Sequence, residues 1–232
     1  MTLAAEHPLA PGYPRPLLIA HGAGNSPETA RLAIDARADL LEVDLWLHRG
    51  RFEARHERRL RFLPFLIETW YLKRPPRTPF GLEELLRLAS ANSTGLFLDL
   101  KNGHNRTAHA LHHLLHDLPH HPPVLASSQS WPVLRALHHI RPTIDLFYSI
   151  DVRAKLDLFL AVSEREPLPR GISCRHALLT RPIVQELRSR GLAIVAWTVD
   201  DIERAEQLAD WGVDGITTHR IAELRAALRP GP

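Results

Sequence analysis

LAIVAWTVDDIERAEQLADWGVDGITTHRIAELRAAL, residues 192–228, holds two short apolar runs, each followed by an amphipathic stretch. Leu192 to Val199 reads as a strand, Ile202 to Trp211 as a helix, Val213 to Thr218 as a strand and Ile221 to Leu228 as a helix. The switch between apolar runs of strand length and helical periodicity marks a β-α-β-α rhythm. The same rhythm extends back along the chain. Strands are predicted over Leu17 to His21, Asp39 to Leu47, Arg51 to Glu57, Gly95 to Lys101, Pro123 to Ser128, Thr143 to Ser149 and Gly171 to Cys174. Helices are predicted over Ser26 to Arg37, Phe80 to Ala89, Thr107 to Leu118, Trp131 to Ile140, Val152 to Ser163 and Arg181 to Arg190. Ser26 is placed to cap the first helix, with Pro27 at its first position and Glu28 in its first turn, and Gly191 ends the last of these.

Strands alternating with helices imply a parallel sheet with helices outside, and eight or nine strands suffice to close a TIM (β/α)8 barrel. Arg51 to Glu57 follows its predecessor through the turn His48-Arg49-Gly50 with no helix between, so it is not expected to be a regular barrel strand. A doubly wound open sheet is the rival fold. It is disfavoured because no G-x-G-x-x-G follows the first strand. The reading is one domain over residues 1–232, with a short cap insertion at about 58–79.

The chain has 232 residues, 44% hydrophobic and 24% charged, the composition of a globular protein able to bury a core. No apolar run approaches a membrane span, and Met1 to Pro16 reads as an irregular lead-in rather than a secretory signal. The one cysteine, Cys174, excludes an intrachain disulfide, and the default expectation is a cytoplasmic location. A net charge of +3 suits an anionic substrate. Arginines and acids alternate along most of the chain, against a dedicated nucleic-acid surface. No serine-hydrolase or P-loop pattern occurs.

The chemistry-bearing residues sit at or near strand ends: His21, Glu42 and Asp44, His56, and Asp99 with Lys101. Side chains two apart on a strand share a face, so Glu42 pairs with Asp44 and Asp99 with Lys101. Leu41, Val43, Leu45 and Leu47 alternate with the two acids. If the apolar set packs under the helices, the acids face the barrel interior, where they need a partner or a cation. The strand ends form the active-site face of such a barrel, which would bring all six residues to one mouth. Three converging carboxylates suit a hard divalent cation, Mg²⁺ or Ca²⁺. Two histidines suit a reaction in which one oxygen loses a proton and another gains one. Lys101 offers a fixed charge, and Trp197 is placed to line the pocket against an apolar or alcohol part of the ligand. Ser127 and Ser128 are further strand-end candidates for phosphate contact.

These residues occur in a familiar order. His21-Gly22, Pro27-Glu28-Thr29, Glu42-x-Asp44, His56, Asp99-x-Lys101, Trp197-Thr198-Val199 and Gly212-Val213-Asp214-Gly215-Ile216 resemble the motifs of glycerophosphodiester phosphodiesterases, from about residue 17 to 218. The resemblance implies a TIM barrel of the phospholipase C-like type that cleaves a phosphodiester with a divalent metal. It implies that Glu42, Asp44 and Asp99 match metal ligands, that His21 and His56 match an acid–base pair, and that Lys101 matches a phosphate-site lysine. The substrate would be a small-molecule or lipid phosphodiester. The chain departs from the family at four places. His-Arg-Gly is His21-Gly22-Ala23 here, so a phosphate-contacting arginine is missing, with Arg55 or Arg37 as substitutes to test. His-Asp is His56-Glu57, Glu-x-Lys is Asp99-x-Lys101, and a closing Thr-Asp is Thr218-His219. The Asp-x-Lys form and the missing arginine also resemble the sphingomyelinase D and phospholipase D branch, which cleaves choline lipids. A barrel that binds phosphorylated ligands without turnover is a third reading.

Two features stand outside this set. Residues 58–77, RRLRFLPFLIETWYLKRPPR, follow His56 directly and should overhang the site. Leucines and aromatics bordered by basic residues suit a packed cap, an oligomer contact or peripheral contact with a membrane surface. His104, His109, His112, His113, His116, His120 and His121 cluster on or near one helix. Three of them share a face, for which a solvated surface is the simpler reading and a transition-metal site the sharper one.

Overall fold

The computed structural model describes residues 15–60, 63, 65–68, 71–163 and 169–229. The lead-in before Arg15 and Trp70 of the cap lie outside the described residues. The strands are β1 (Leu17–Ala20), β2 (Leu40–His48), β3 (Arg51–Ala54), β4 (Arg58–Arg59), β5 (Leu66–Glu68), β6 (Tyr71–Lys73), β7 (Gly95–Leu100), β8 (Val124–Ser128), β9 (Asp145–Ile150), β10 (Gly171–Arg175), β11 (Ala193–Trp197) and β12 (Gly215–Thr218). The helices are α1 (Pro27–Asp35), α2 (Leu82–Ala91), α3 (Asn105–Asp117), α4 (Trp131–Ile140), α5 (Arg153–Val162), α6 (Arg181–Ser189), α7 (Ile202–Trp211) and α8 (Ile221–Leu228).

Eight parallel strands run in the order β1-β12-β11-β10-β9-β8-β7-β2, and β1 also pairs with β2, which closes the barrel. The fold is the expected TIM (β/α)8 barrel. The extra strand β3 pairs antiparallel with β2, Leu45 opposite Ala54 and His48 opposite Arg51. Arg49 and Gly50 both have positive φ in the two-residue turn between them, the conformation that matches the twist of a hairpin. The cap strands β4, β5 and β6 form a separate antiparallel sheet.

The helix ends follow from local chemistry. Ser26 accepts from Thr29 N at 3.1 Å, with Pro27 in the first turn, as the sequence indicates. Asp201 caps α7 by accepting from Arg204 N at 2.7 Å, and Gly212 ends it in the left-handed conformation at φ 91°.

Two apolar cores result from the pleat. Outward residues Leu41, Val43 and Leu45 of β2 pack with the buried faces of the helices. Inward residues Leu17, Ile19, Leu40, Phe97, Leu125, Phe147, Ala193 and Val195 fill the barrel. Phe97 and Phe147 meet edge to face at 5.4 Å within this plug. Two carboxylates latch the strand entries. Asp39 accepts from Leu18 N and from Arg229, each at 2.7 Å, and Asp214 accepts from Ile194 N at 2.8 Å.

Gly171 sits where a Cβ would lie 2.1 Å from the carbonyl oxygen of Ala193 on the neighbouring strand. Gly171→Ala is expected to cost about 1–3 kcal/mol by overpacking, read as a lowered Tm in thermal denaturation. An unchanged melting curve would mean that β10 and β11 separate more easily than this packing implies.

Candidate active site

The interior positions change character along the strand direction. Above the apolar plug, the same inward alternation presents Glu42 and Asp44 on β2, Asp99 on β7, Ser127 on β8, Ser149 on β9, Ser173 on β10 and Thr217 on β12. These line one cavity of about 250 Å³ together with His21, His56, Lys101, Gln129, Trp197 and Thr198. All seven residues singled out in the sequence therefore converge. Ser128 does not: it faces away, donating to Leu100 O at 2.6 Å.

The cavity is organised around its carboxylates. Glu42, Asp44 and Asp99 each present an oxygen, and these atoms lie within 4.8 Å of one another. Asp44 sits opposite Asp99 in the register of β2 and β7. Asn25 clamps Asp44 from the loop after β1. Its amide donates to Asp44 Oδ2 at 2.7 Å, and its Oδ1 accepts from Asp44 N at 2.9 Å. Gly22 N, in the left-handed turn that follows His21, donates to Glu42 Oε2 at 2.6 Å. Lys101 bridges the pair, with Nζ 2.6 Å from Asp44 Oδ1 and in contact with Asp99 Oδ2.

Burial, with Asp44 and Asp99 close by, pushes the Glu42 carboxyl well above the usual range. Burial also raises Asp99, against the opposing pull of Lys101. For Lys101, burial alone would favour loss of its proton, but Asp99 and Asp44 outweigh it and the ammonium is held. One lysine thus faces three carboxylates. The remaining negative charge and the oxygen-only donor set fit a hard divalent cation, with Glu42, Asp44 and Asp99 as its ligands.

The histidines stand at the rim. His21 directly follows β1, its backbone N donating to Thr218 O at 2.9 Å, and its Nδ1 lies 3.2 Å from the Thr198 hydroxyl. Burial and the neighbouring His219 lower its pKa. The His219 ring is 4.6 Å from that of His21, and its Nδ1 is 2.8 Å from Asp200 Oδ2. Where the resemblance predicts an aspartate, the chain places a carboxylate-held imidazole against His21. His56 does not end a strand, as the sequence reading had it: β3 stops at Ala54, and His56 lies in the following bend. Its Nδ1 is 3.0 Å from Glu68 Oε1 of β5, so the cap supplies its partner.

Neither proposed substitute for the missing arginine reaches the mouth. Arg55 is buried, bonds Glu53 Oε2 at 2.8 Å and Glu57 O, and lies over the Trp46 ring. Arg37 follows α1, and its carbonyl accepts from Arg225. Among the described residues, Lys101 is the one permanent cation lining the cavity. The histidine-rich helix α3 keeps His109, His113 and His116 exposed. Among the described residues, the acid trio of the mouth is the one group with metal-ligand spacing.

Asn25, Gln129, Ser149, Ser173, Thr198, Thr217 and Glu68 were not read from the sequence as site residues. For the hydroxyls, inward strand parity was the available signal. For Glu68 there was none, because its contact with His56 depends on how the cap folds.

With this geometry in hand, the comparisons are informative. Residues 123–223 match the model of the glycerophosphoryl diester phosphodiesterase family. Over those residues the chain is similar to that family. The match runs from β8 into α8 and includes Trp197, whereas His21, Glu42, Asp44, His56, Asp99 and Lys101 precede it. Over the whole barrel, the likeness is one of fold. A phosphodiesterase from Oleispira antarctica, in complex with the product sn-glycerol-3-phosphate, superposes with a TM-score of 0.74 at 20% identity, covering 92% of this chain and 96% of that one. The glycerophosphodiester phosphodiesterase of Thermotoga maritima gives 0.71 at 18%, covering 94% and 100%. That of Parabacteroides distasonis gives 0.72 at 19%, covering 91% and 95%. A comparison with curated protein sequences finds no match.

The charge balance of the mouth yields a stability prediction. Lys101→Met removes the counter-charge of Asp44 and Asp99. The side chain of Lys101 is 26% exposed, so the expected loss in metal-free protein is about 1–3 kcal/mol, below that of a fully buried pair. Mg²⁺ should restore part of the lost Tm in a thermal melt. A variant as stable as the parent without metal would mean that the carboxylates are already neutralised by protons.

Proposed function

We propose that the protein hydrolyses glycerophosphodiesters to glycerol 3-phosphate and an alcohol, using a divalent cation and two histidines. The observation that carries this reading is the convergence of two buried carboxylates and a part-buried third, one lysine and two imidazoles in a single barrel mouth. The family match over residues 123–223 supports the substrate class.

Glu42, Asp44 and Asp99 would hold Mg²⁺ or Ca²⁺, which when bound supplies charge for a phosphate oxygen. Asn25 and Gly22 fix the two β2 carboxylates so that little reorganisation is needed. Lys101 Nζ stands between Asp44 and Asp99, where it faces the substrate's phosphate and offsets its charge. His21 and His56 share the proton transfer: one takes a proton from the attacking hydroxyl or water, and the other gives one to the leaving oxygen. In each, Nδ1 is engaged, by Thr198 and by Glu68 respectively, which leaves Nε2 for the substrate. Trp197 borders the cavity and would pack against the apolar part of the departing alcohol.

The decisive assay offers glycerophosphocholine, glycerophosphoethanolamine, lysophosphatidylcholine and sphingomyelin with Mg²⁺ or Ca²⁺, and again with EDTA. Glycerol 3-phosphate should be released from the first two and lost with EDTA. His21→Ala and His56→Ala should each lower kcat/KM by about 10²–10⁴-fold. Turnover of the choline lipids alone would move the protein to the phospholipase D-like branch. No turnover of any of the four would leave a barrel that binds without cleaving.

A further inference from the structure

The cap sheet buries Leu66 toward the barrel but surrounds it there with charged groups. In the register of β4, β5 and β6, Arg59 stands opposite Leu66 and Leu66 opposite Lys73, while Glu68 stands opposite Tyr71. This face turns toward the barrel and is dominated by polar and charged groups. Arg59 pairs with Glu53, Lys73 with Glu57, Glu68 with His56, and the Tyr71 hydroxyl donates to Glu57 and Glu68. The opposite face carries Arg58, Ile67 and Leu72, again directly opposite one another. Leu72 is 59% exposed, and nearby Leu63 is 56% exposed. β6 pairs with β5 on one side and, among the described residues, with no strand on the other, and all three of its residues are exposed. A small sheet in water ordinarily turns its apolar face to the core and its charges outward. Here Leu66 is the one buried aliphatic side chain of the described sheet, ion pairs fasten the sheet around it, and Ile67 and Leu72 lie on the other face.

The surroundings are cationic. Residues 58–77 contain five arginines and Lys73 against a single acid, Glu68. Arg74 and Arg77 are exposed beside the sheet, and a cleft of about 760 Å³ next to the cap is edged by Arg49, Arg51, Arg59 and Arg77. Exposed leucines on a segment rich in arginine match the boundary between the headgroups and acyl chains of an anionic bilayer.

We propose that the outward face of the cap sheet docks the protein onto an anionic lipid bilayer, with Leu63 and Leu72 entering the acyl boundary and Arg58, Arg74 and Arg77 meeting the headgroups. Because Glu68 on the reverse face holds His56, docking would place the catalytic mouth next to the lipid surface. This inference does not rest on the identity of the substrate, and its test needs no turnover.

The test is sedimentation with vesicles of phosphatidylcholine alone and of phosphatidylcholine mixed with phosphatidylglycerol. The protein should partition onto the mixed vesicles, far less onto the neutral ones, and leave them as salt is raised. Leu63→Ser/Leu72→Ser should weaken partitioning by about tenfold or more. Its melting curve should match the parent, since both leucines are exposed. Arg58→Gln/Arg74→Gln should abolish the preference for anionic lipid. Equal partitioning of parent and leucine variant would overturn the proposal, as would failure of the parent to sediment with anionic vesicles. Light scattering that finds a dimer in the parent and a monomer in the leucine variant would overturn it too, assigning the face to a second copy of this chain.

Discussion

The barrel's interior is governed by the two-residue period of the pleat. Once eight strands close, every second side chain on each must occupy the same narrow channel, whatever its chemistry. Near the strand starts those positions hold leucines, isoleucine, valine and phenylalanines, which seal the channel. Near the strand ends the same parity delivers Glu42, Asp44, Asp99, Ser127, Ser149, Ser173 and Thr217. The site is the plug's continuation in polar residues, and a one-residue slip of β2 would turn both acids into the helix layer. The precision of the mouth is thus inherited from the packing below it.

Electrostatics gives the mouth its character. Burial, with the carboxylates crowding one another and Lys101 only partly opposing them, holds the protons on Glu42 and Asp99 more tightly than usual in the metal-free state. A cation would take over that role. The rim has a second layer of carboxylates, Asp200 behind His219 and Glu68 behind His56, which orient imidazoles without entering the cavity. One departure from the family pattern, His219, falls in this outer layer, whereas another, Glu57, pairs with Lys73 of the cap. The missing arginine is different: no arginine of the described residues lines the cavity in its place.

The convergence of His21, Glu42, Asp44, Asp99 and Lys101 was legible because strand alternation makes a side chain's direction a matter of counting. The extra strand was recognisable as irregular because no helix preceded it. His56 was placed in the mouth for a partly wrong reason, since the chain leaves β3 at Ala54 and the loop carries the histidine inward. Ser149, Ser173 and Thr217 were missed because a small hydroxyl in an apolar strand resembles any core position. The cap strands, only two or three residues each, are too short to show periodicity. Arg55 was misjudged because its partner Glu53 lies two residues away on the same face, an attraction invisible in spacing alone.

The seam of the barrel joins its first strand to both β2 and β12, and Arg229 fastens the entry of that first strand through Asp39. During synthesis β1 therefore waits with one edge open until β12, some two hundred residues later, has left the ribosome. A nascent chain lacking residues 215–229 would present an unpaired parallel edge and an unsealed apolar channel, the features by which quality-control factors recognise incomplete barrels.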